Sequence, residues 1–404
     1  MRTYIGKIKS NQLTDKQPIM FIVPMLDQGG LERVCALTAQ LLKNKYDVHL
    51  VVFNTEGMIY DVSGVDLIDL NLGAVPGIAG KLLNVVKRVA KVRKLKRQLG
   101  IELSYSFGPT ANIVNVLSKY KDFTWTGIRG YGALSDKRSM KFVCKRADMV
   151  VGCTKIMTAD ICNEFKVKDC ATLYNPCNIE EIVTLSKEEL LPEHAAFLER
   201  KGKTVVSMGR AHDVKGFWHL IKSVYLAGKE GTDLKLMIIG AGDYSEYMQL
   251  AKELNMEEDV LFTGVQKNPF KLLARADVYA LTSDSEGFPN ALIEAMTVGL
   301  PCISVNCKTG PAEILSKDYT ACEDQSRTYM ADYGILTPVF KGDKDLSPNN
   351  FTPEEKTFAA EITRLISDEE LYRKYKCIAP KRADDFGMET YVKSFETLKD
   401  KSKL

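Results

Sequence analysis

Two carboxylates, Glu286 and Glu294, stand eight residues apart on either side of the turn Gly287-Phe288-Pro289. The apolar run 277–281 just upstream reads as a short buried strand. Pro289 suits the first position of a helix, because its ring fixes φ and an N–H there would have no partner anyway. One acid then lies on the loop after a strand, and the other just past the first turn of the next helix. Between them, the free N–H groups of the helix start offer a seat to a phosphate, with a carboxylate on either side to grip hydroxyl groups. Complementing the helix dipole would account for Glu286. It accounts poorly for Glu294, which lies between Ile293 and Ala295 in an apolar stretch. A carboxylate there needs a partner, and a ribose diol is a suitable one.

Arg210 and Lys215 are two cations on one loop after another predicted strand, flanked by Gly209 and Gly216. An Arg fork and a mobile Lys charge both suit phosphate oxygens. Fixed cations aimed at a departing diphosphate stabilise the charge that gathers on it. Two solvated surface charges are the plain alternative, and the position at a strand's carboxyl end favours the ligand. Gly29 and Gly30 follow the first apolar run and precede a helical pattern, so backbone could approach an anion there. A simple tight turn fits the same residues. Gly240 and Gly242 follow a third strand, but Ser245 stands where a dinucleotide fingerprint has its last glycine. That points to a nucleotide-proximal turn rather than NAD binding. The segment 307–313, with its Gly-Pro pair, reads as a further loop on the same rim.

The elements that must hold these loops alternate almost throughout, as in a parallel sheet with helices on both faces. Strands are predicted at 19–25, 48–53, 65–70, 101–106, 123–128 and 149–152, with helices at 31–44, 81–99 and 154–165. A charged helical segment, 180–203, follows a turn-rich break at 174–178. A second strand series is predicted at 204–208, 234–239, 260–263, 278–281, 302–305 and 333–336. The stretch 307–350, rich in Gly, Pro, Asp and Lys, reads as irregular apart from that last strand, and 354–402 as helical. Two doubly wound sheets in tandem bind ligands at the carboxyl ends of their strands, so two facing lobes make one cleft.

With 404 residues, 45% hydrophobic and 26% charged, the chain is long enough for two or three soluble domains. A net charge of +3 gives no reason to expect nucleic acid. Ten cysteines without a Cys-x-x-Cys pair, and four scattered histidines, suggest reduced thiols and no zinc site. The first nine residues lack an apolar signal core, and the apolar runs are too short for a membrane span. A cytosolic chain is expected. Residues 81–98 carry eight basic side chains and no acid, with Leu82, Val85, Val86, Val89, Val92 and Leu95 as a possible apolar face. That suits an anionic membrane surface, and equally a helix packed on the sheet with a solvated outer face.

Taken in order, Gly-Gly-x-Glu-Arg, Gly-Arg-x4-Lys-Gly, Gly-x-Gly, Glu-Gly-Phe-Pro…Glu and Gly-Pro-x-Glu-Ile-Leu resemble the family 4 retaining glycosyltransferases, from about residue 19 to the C-terminal helix. The resemblance implies the GT-B fold, an α/β class with two Rossmann-like lobes facing across a cleft. It divides the chain into an acceptor-side lobe at 1–180, a nucleotide-sugar lobe at 181–380 and a helix at 381–404 crossing back to the first lobe. Arg210 and Lys215 would hold the diphosphate, Glu294 the ribose hydroxyls, and Glu286 the donor sugar near the reacting carbon. Gly30 would face the diphosphate, and the amides of Phe288, Asn290 and Ala291 would complete the cradle. No metal or other cofactor is implied, and Asp343-Lys-Asp345 lies in a polar loop away from the other motifs. Many relatives carry a His after the fifth strand; here Arg129 stands in that segment and would contact acceptor or phosphate. The implied partners are a nucleotide-sugar donor, usually a UDP-sugar, a lipid-linked glycan acceptor and the inner face of the plasma membrane. A transferase acting on a soluble or protein acceptor, a silent GT-B partner subunit and an NAD(P)-dependent oxidoreductase are the rival readings.

Overall fold

A computed structural model describes residues 16–27 and 29–402. The N-terminal stretch read above for a signal core, and Gln28, lie outside the described residues. The first lobe is a seven-stranded sheet of β1 (Pro18–Val23), β2 (Asp47–Val52), β3 (Asp66–Asp69), β4 (Leu103–Phe107), β5 (Phe123–Ile128), β6 (Met149–Gly152) and β7 (Cys170–Thr172), in the order β3-β2-β1-β4-β5-β6-β7. All its pairings are parallel. Its central strands are buried on both faces, as parallel sheets require, with Ser104, Ser106, Thr124 and Thr126 among the buried residues of β4 and β5. The crossovers are α1 (Gly30–Leu42), α2 (Ile78–Gln98), α3 (Pro109–Leu117), α4 (Lys137–Cys144) and α5 (Lys155–Phe165).

After α6 (Ile179–Leu185) and α7 (Pro192–Glu199) the second sheet begins. It contains β8 (Lys203–Met208), β9 (Leu234–Ile239), β10 (Val260–Phe262), β11 (Val278–Leu281), β12 (Cys302–Val305), β13 (Tyr329–Met330) and β14 (Ile335–Thr337), in the order β10-β9-β8-β11-β12-β14-β13. Only the pairing of β13 with β14 is antiparallel among the described strands. Its helices are α8 (Phe217–Lys229), α9 (Ser245–Glu253), α10 (Phe270–Leu273), α11 (Asn290–Thr297), α12 (Pro311–Leu315), α13 (Pro353–Ser367) and α14 (Glu369–Ala383). Two doubly wound parallel-sheet lobes form the GT-B architecture expected from the sequence.

The chain crosses between lobes twice, and the crossings run side by side. Cys177 N donates to Phe386 O at 2.9 Å, and Cys177 bridges Gly387 in parallel. Tyr174 stacks on Phe288, with ring centroids 5.1 Å apart, and meets Phe386 edge-on. The last helix, α15 (Met388–Lys401), lies on the first lobe. Its Phe395 packs 5.3 Å from Trp125, and Tyr391 Oη lies 2.8 Å from Thr38 Oγ1.

Three expectations need correction. The segment 180–203 is not one helix: Pro192 starts a new helix after a loop, and the stretch ends in β8. The strand expected at 333–336 is present as β14, but the rest of 307–350 is not irregular, since α12 and β13 also lie in it and α12 buries Ile314 and Leu315. These two elements, like the unforeseen β7, span five residues or fewer, too few to show a period. Thirdly, α2 buries only part of the apolar face expected of it: Val92 is buried, and Val89 and Leu95 pack against the same core. It turns Asn84, Arg88, Val92 and Lys96 inward, and leaves Leu82 and Val86 exposed.

Candidate active site

The second sheet reverses its strand order between β8 and β11, so the loops after these two strands lie side by side. Asp284 N donates to Val214 O at 2.9 Å, and Thr282 Oγ1 donates to Lys215 O at 2.9 Å. Gly216 allows this approach: its φ is +59°, and a Cβ there would collide with the Thr282 carbonyl. The zipped loops bring Lys215 Nζ within 2.6 Å of Glu286 Oε1. Arg210 is exposed and makes no ion pair among the described residues. Its charge reaches Glu32 on α1. Burial pushes the Glu32 carboxyl above its usual range, Asp27 adds to that, and Arg210 pulls the other way.

Gly209 and Gly240 were expected at the donor. The structure gives both a packing reason. A Cβ on Gly240, whose φ is +152°, would run into the Gly209 carbonyl, and one on Gly209 would press on the Lys215 stem at 3.2 Å. Tyr244 donates to the same Gly209 carbonyl at 3.1 Å.

Helix α11 starts at Asn290 with Pro289 as its N-cap, one position later than expected. Phe288 is buried against Tyr174, so only its backbone is available to a ligand. Ala291 is half-buried behind it. Asn290 Oδ1 accepts from Asn175 Nδ2 at 2.9 Å. A Cβ on Gly30 would stand 3.7 Å from Asn290 Nδ2, so the starts of α1 and α11 face each other across the lobes. Both helix starts favour an anion there. Gly29 caps α1, and its carbonyl accepts from Tyr60 Oη at 2.9 Å.

Glu294 is buried as expected, but its partner is a protein cation. Arg33, on the first turn of α1, is ion-paired with it from the opposite lobe. The sequence reading passed over Arg33 although it closes the Gly-Gly-x-Glu-Arg motif. No local pattern reveals a pair 261 residues apart.

Arg129 is not held out toward a ligand. Its guanidinium donates to Leu173 O at 2.8 Å, to Asn175 Oδ1 at 3.0 Å and to Tyr105 Oη, beneath the cleft. Buried aromatic rings of Tyr105 and Phe107 pull it inward by cation–π attraction. Through Asn175 it is tied to Asn290. Its carbonyl packs so closely on Gly287 that no Cβ fits there. The Asp343-Lys-Asp345 loop is not remote either. Lys344 Nζ reaches Asp213 Oδ1 at 2.7 Å, two residues from Lys215. Asp345 turns away to Ser347 and Asn350.

Glu313, read only as a rim residue, also crosses the lobes. Its carboxylate accepts from Lys155 N at 2.7 Å, Ile156 N at 2.9 Å and Tyr174 Oη at 2.8 Å. Lys308 reaches over to Tyr131 and Asp160 at 2.5 and 2.7 Å.

Residues 192–332 match the family model "Glycosyl transferases group 1". An uncharacterized glycosyltransferase of Methanocaldococcus jannaschii is 30% identical over 340 residues, covering 78% of this chain and 83% of the relative. The N-acetylgalactosamine-N,N'-diacetylbacillosaminyl-diphospho-undecaprenol 4-alpha-N-acetylgalactosaminyltransferase of Campylobacter jejuni is 26% identical over 388 residues, 92% of this chain and 96% of that protein. In fold, the chain resembles Anabaena HepE solved in complex with UDP and glucose. The TM-score is 0.71 at 17% identity, over 96% of this chain and all of that one.

Proposed function

This chain belongs to the group 1 glycosyl transferases, and from that premise we propose that it is a retaining, family 4 type enzyme acting on a lipid-linked glycan. The donor is a nucleoside-diphosphate sugar, in the first instance a UDP-sugar. The product is an intermediate of a surface polysaccharide such as capsule or O-antigen. The observation that carries the reading is the pairing of both motif glutamates at the cleft: Glu286 with Lys215, and Glu294 with Arg33. Lys215 and Arg210 neutralise the departing diphosphate, the facing starts of α1 and α11 seat its oxygens, and Glu294 takes the ribose diol. Glu286 meets the donor sugar beside the reacting carbon. An oxygen of the leaving phosphate takes the acceptor proton on the same face, which gives retention without a protein base. No metal is required, because side-chain cations supply the charge. The undecaprenol-linked substrate named for the Campylobacter relative and the UDP held by HepE support the choice of acceptor and donor.

Peripheral attachment at the inner face of the plasma membrane goes with such an acceptor, and the exposed apolar and basic side chains of α2 support it. Among the described residues no helix is long and apolar enough to cross a membrane. The test is nucleoside-diphosphate release from a panel of nucleotide sugars, with polyprenyl-diphosphate glycans or soluble glycans as acceptors, and NMR of the product's anomeric configuration. Release with a UDP-sugar, stimulated by the lipid-linked acceptor and giving the retained anomer, is expected. A folded protein that releases nucleotide from none of them is a silent subunit, and one served only by soluble glycans has a different acceptor.

A further inference from the structure

We propose that Arg33 is a positioning residue for the donor's ribose: it reaches from the first lobe to pair with and orient the Glu294 carboxylate, so that nucleotide recognition depends on the closed arrangement of the lobes. The proposal rests on the reading of Glu294 as the ribose acceptor.

Glu294 lies within α11 and is only 3% exposed. Arg33 is its one hydrogen-bond or ion-pair partner among the described residues. A neutral diol cannot balance a buried negative charge, whereas a guanidinium can. A carboxylate has about four lone-pair sites. Arg33 engages Oε1 and leaves Oε2 free for hydroxyl groups. Arg33 is in turn well placed. Tyr60 fixes the Gly29 carbonyl at the start of α1, and the guanidinium carbon stands 5.8 Å from the Phe270 ring of the second lobe. A small cavity of about 10 Å³, lined by Arg33, Asn175, Asn290 and Glu294, lies beside the pair, next to the facing helix starts that suit a diphosphate. When the lobes separate, the two charges part and each is hydrated. When they close, the acid is buried and Arg33 supplies its counter-charge. A side chain on one lobe thereby governs a ligand contact made by the other.

The experiment measures binding of UDP, 2'-deoxy-UDP and 3'-deoxy-UDP by calorimetry to the full chain and to Arg33→Met, Arg33→Lys, Glu294→Gln and the Arg33→Met/Glu294→Gln double variant. GDP and its deoxy forms are used if GDP binds more tightly. The wild type should prefer the ribose forms. Arg33→Met should weaken UDP by roughly 10- to 100-fold, the range of a site-to-site coupling, and reduce the preference for ribose to a few-fold at most. Arg33→Lys should recover part of both. In the double variant, loss of Arg33 should add less than about threefold to the effect of Glu294→Gln, because coupled residues are not additive. If Arg33→Met weakens UDP and its deoxy forms equally, or weakens neither, Arg33 is only a tie between lobes and the proposal is overturned while the Glu294 reading stands. If Glu294→Gln keeps the full preference for ribose, or the wild type shows none, the Glu294 reading itself falls and takes the proposal with it.

Discussion

Lys215 Nζ lies 2.6 Å from Glu286 Oε1, so the cation assigned to the diphosphate is already paired with the carboxylate assigned to the donor sugar. Each holds the other in the cleft before any substrate arrives, and a prearranged charge need not reorganise at the moment of reaction. Lys215→Ala removes that charge and leaves Glu286 to repel a leaving diphosphate. Turnover should fall by about 10²–10³, and Arg210→Ala should do the same, as for loss of one donor that stabilises a transition state. Single-turnover nucleotide release, with circular dichroism to confirm folding, checks both. Near-normal rates in the two variants would move the site away from this end of the sheet.

Glu313 is buried while its carboxylate caps the first turn of α5 on the opposite lobe. Glu313→Ala would leave Lys155 N, Ile156 N and Tyr174 Oη without their acceptor. A buried polar group left unpaired costs about 1–3 kcal/mol. Because the lobes can part a little and admit water, about 2 kcal/mol for the whole set is the expected loss in urea denaturation. Hydrogen exchange at Lys155 and Ile156 should rise selectively. Unchanged protection there would show that α5 does not depend on Glu313.

What the sequence made legible follows the range of the interactions involved. The strands 123–128, 149–152, 234–239, 278–281 and 302–305 have the predicted ends: most are largely apolar runs, as burial on both faces requires, and 123–128 is marked by its β-branched and aromatic residues. The loop carrying Arg210 and Lys215 and the loop carrying Glu286 were each readable, since glycine, proline and charge at a strand's end are local signals. Their adjacency comes from the pairing of β8 with β11. Interactions across lobes had no such signal. Arg33 with Glu294, Glu313 with α5, and Arg129 through Asn175 to Asn290 each join residues more than a hundred positions apart or through an intermediary. In α2 the periodicity misled: Arg88 and Lys96 look like surface cations, but their long stems reach inward to carbonyls and to an acid.

Lys96 and Asp122 form a buried pair, 2.8 Å apart, with Asn115 Oδ1 at 2.7 Å and Ser104 Oγ at 3.1 Å from the ammonium. Lys96→Met leaves Asp122 buried without its cation and should cost about 3–5 kcal/mol, whereas Lys96→Met/Asp122→Leu should recover most of it. The pair also makes stability depend on pH. Burial pushes the Lys96 ammonium down to about 8, despite the pull of Asp122. An unfolded Lys releases its proton near ~10.4. Between those values the unfolded chain holds a proton that the folded chain has lost, so this group makes stability rise with pH across that window. Urea midpoints at about pH 7.5 and 9.5 should show the wild type gaining relative to Lys96→Met. Parallel shifts in the two proteins would mean that Lys96 keeps its proton.

The outward face of α2 sets the last prediction. Ile78, Leu82, Leu83 and Val86 are 88, 67, 55 and 58% exposed, an apolar group without cover among the described residues. Lys81, Lys87 and Lys94 are exposed on the same helix, whereas Arg88, Lys91 and Lys96 bond inward to Leu72 O, Leu70 O and Asp122. The membrane binding proposed for this helix would therefore draw on fewer cations than the eight basic side chains of 81–98, and on an apolar group shifted toward the helix start, Ile78, Leu82, Leu83 and Val86. Full burial of a Leu is worth about 1.5–3 kcal/mol, and a cation near anionic lipid about 1 kcal/mol. Leu82→Ser/Leu83→Ser should lower partitioning onto phosphatidylglycerol vesicles by at least about tenfold, and Lys81→Ser/Lys87→Ser by a similar factor that fades at high salt. Arg88→Met should leave partitioning unchanged and lower only stability, because its donors face Leu72 and Gly73. Vesicle co-sedimentation of the four proteins separates these outcomes. If the leucine variant binds as well as the wild type, this face does not enter the membrane, and the proposed lipid-linked acceptor would have to reach the cleft by another approach.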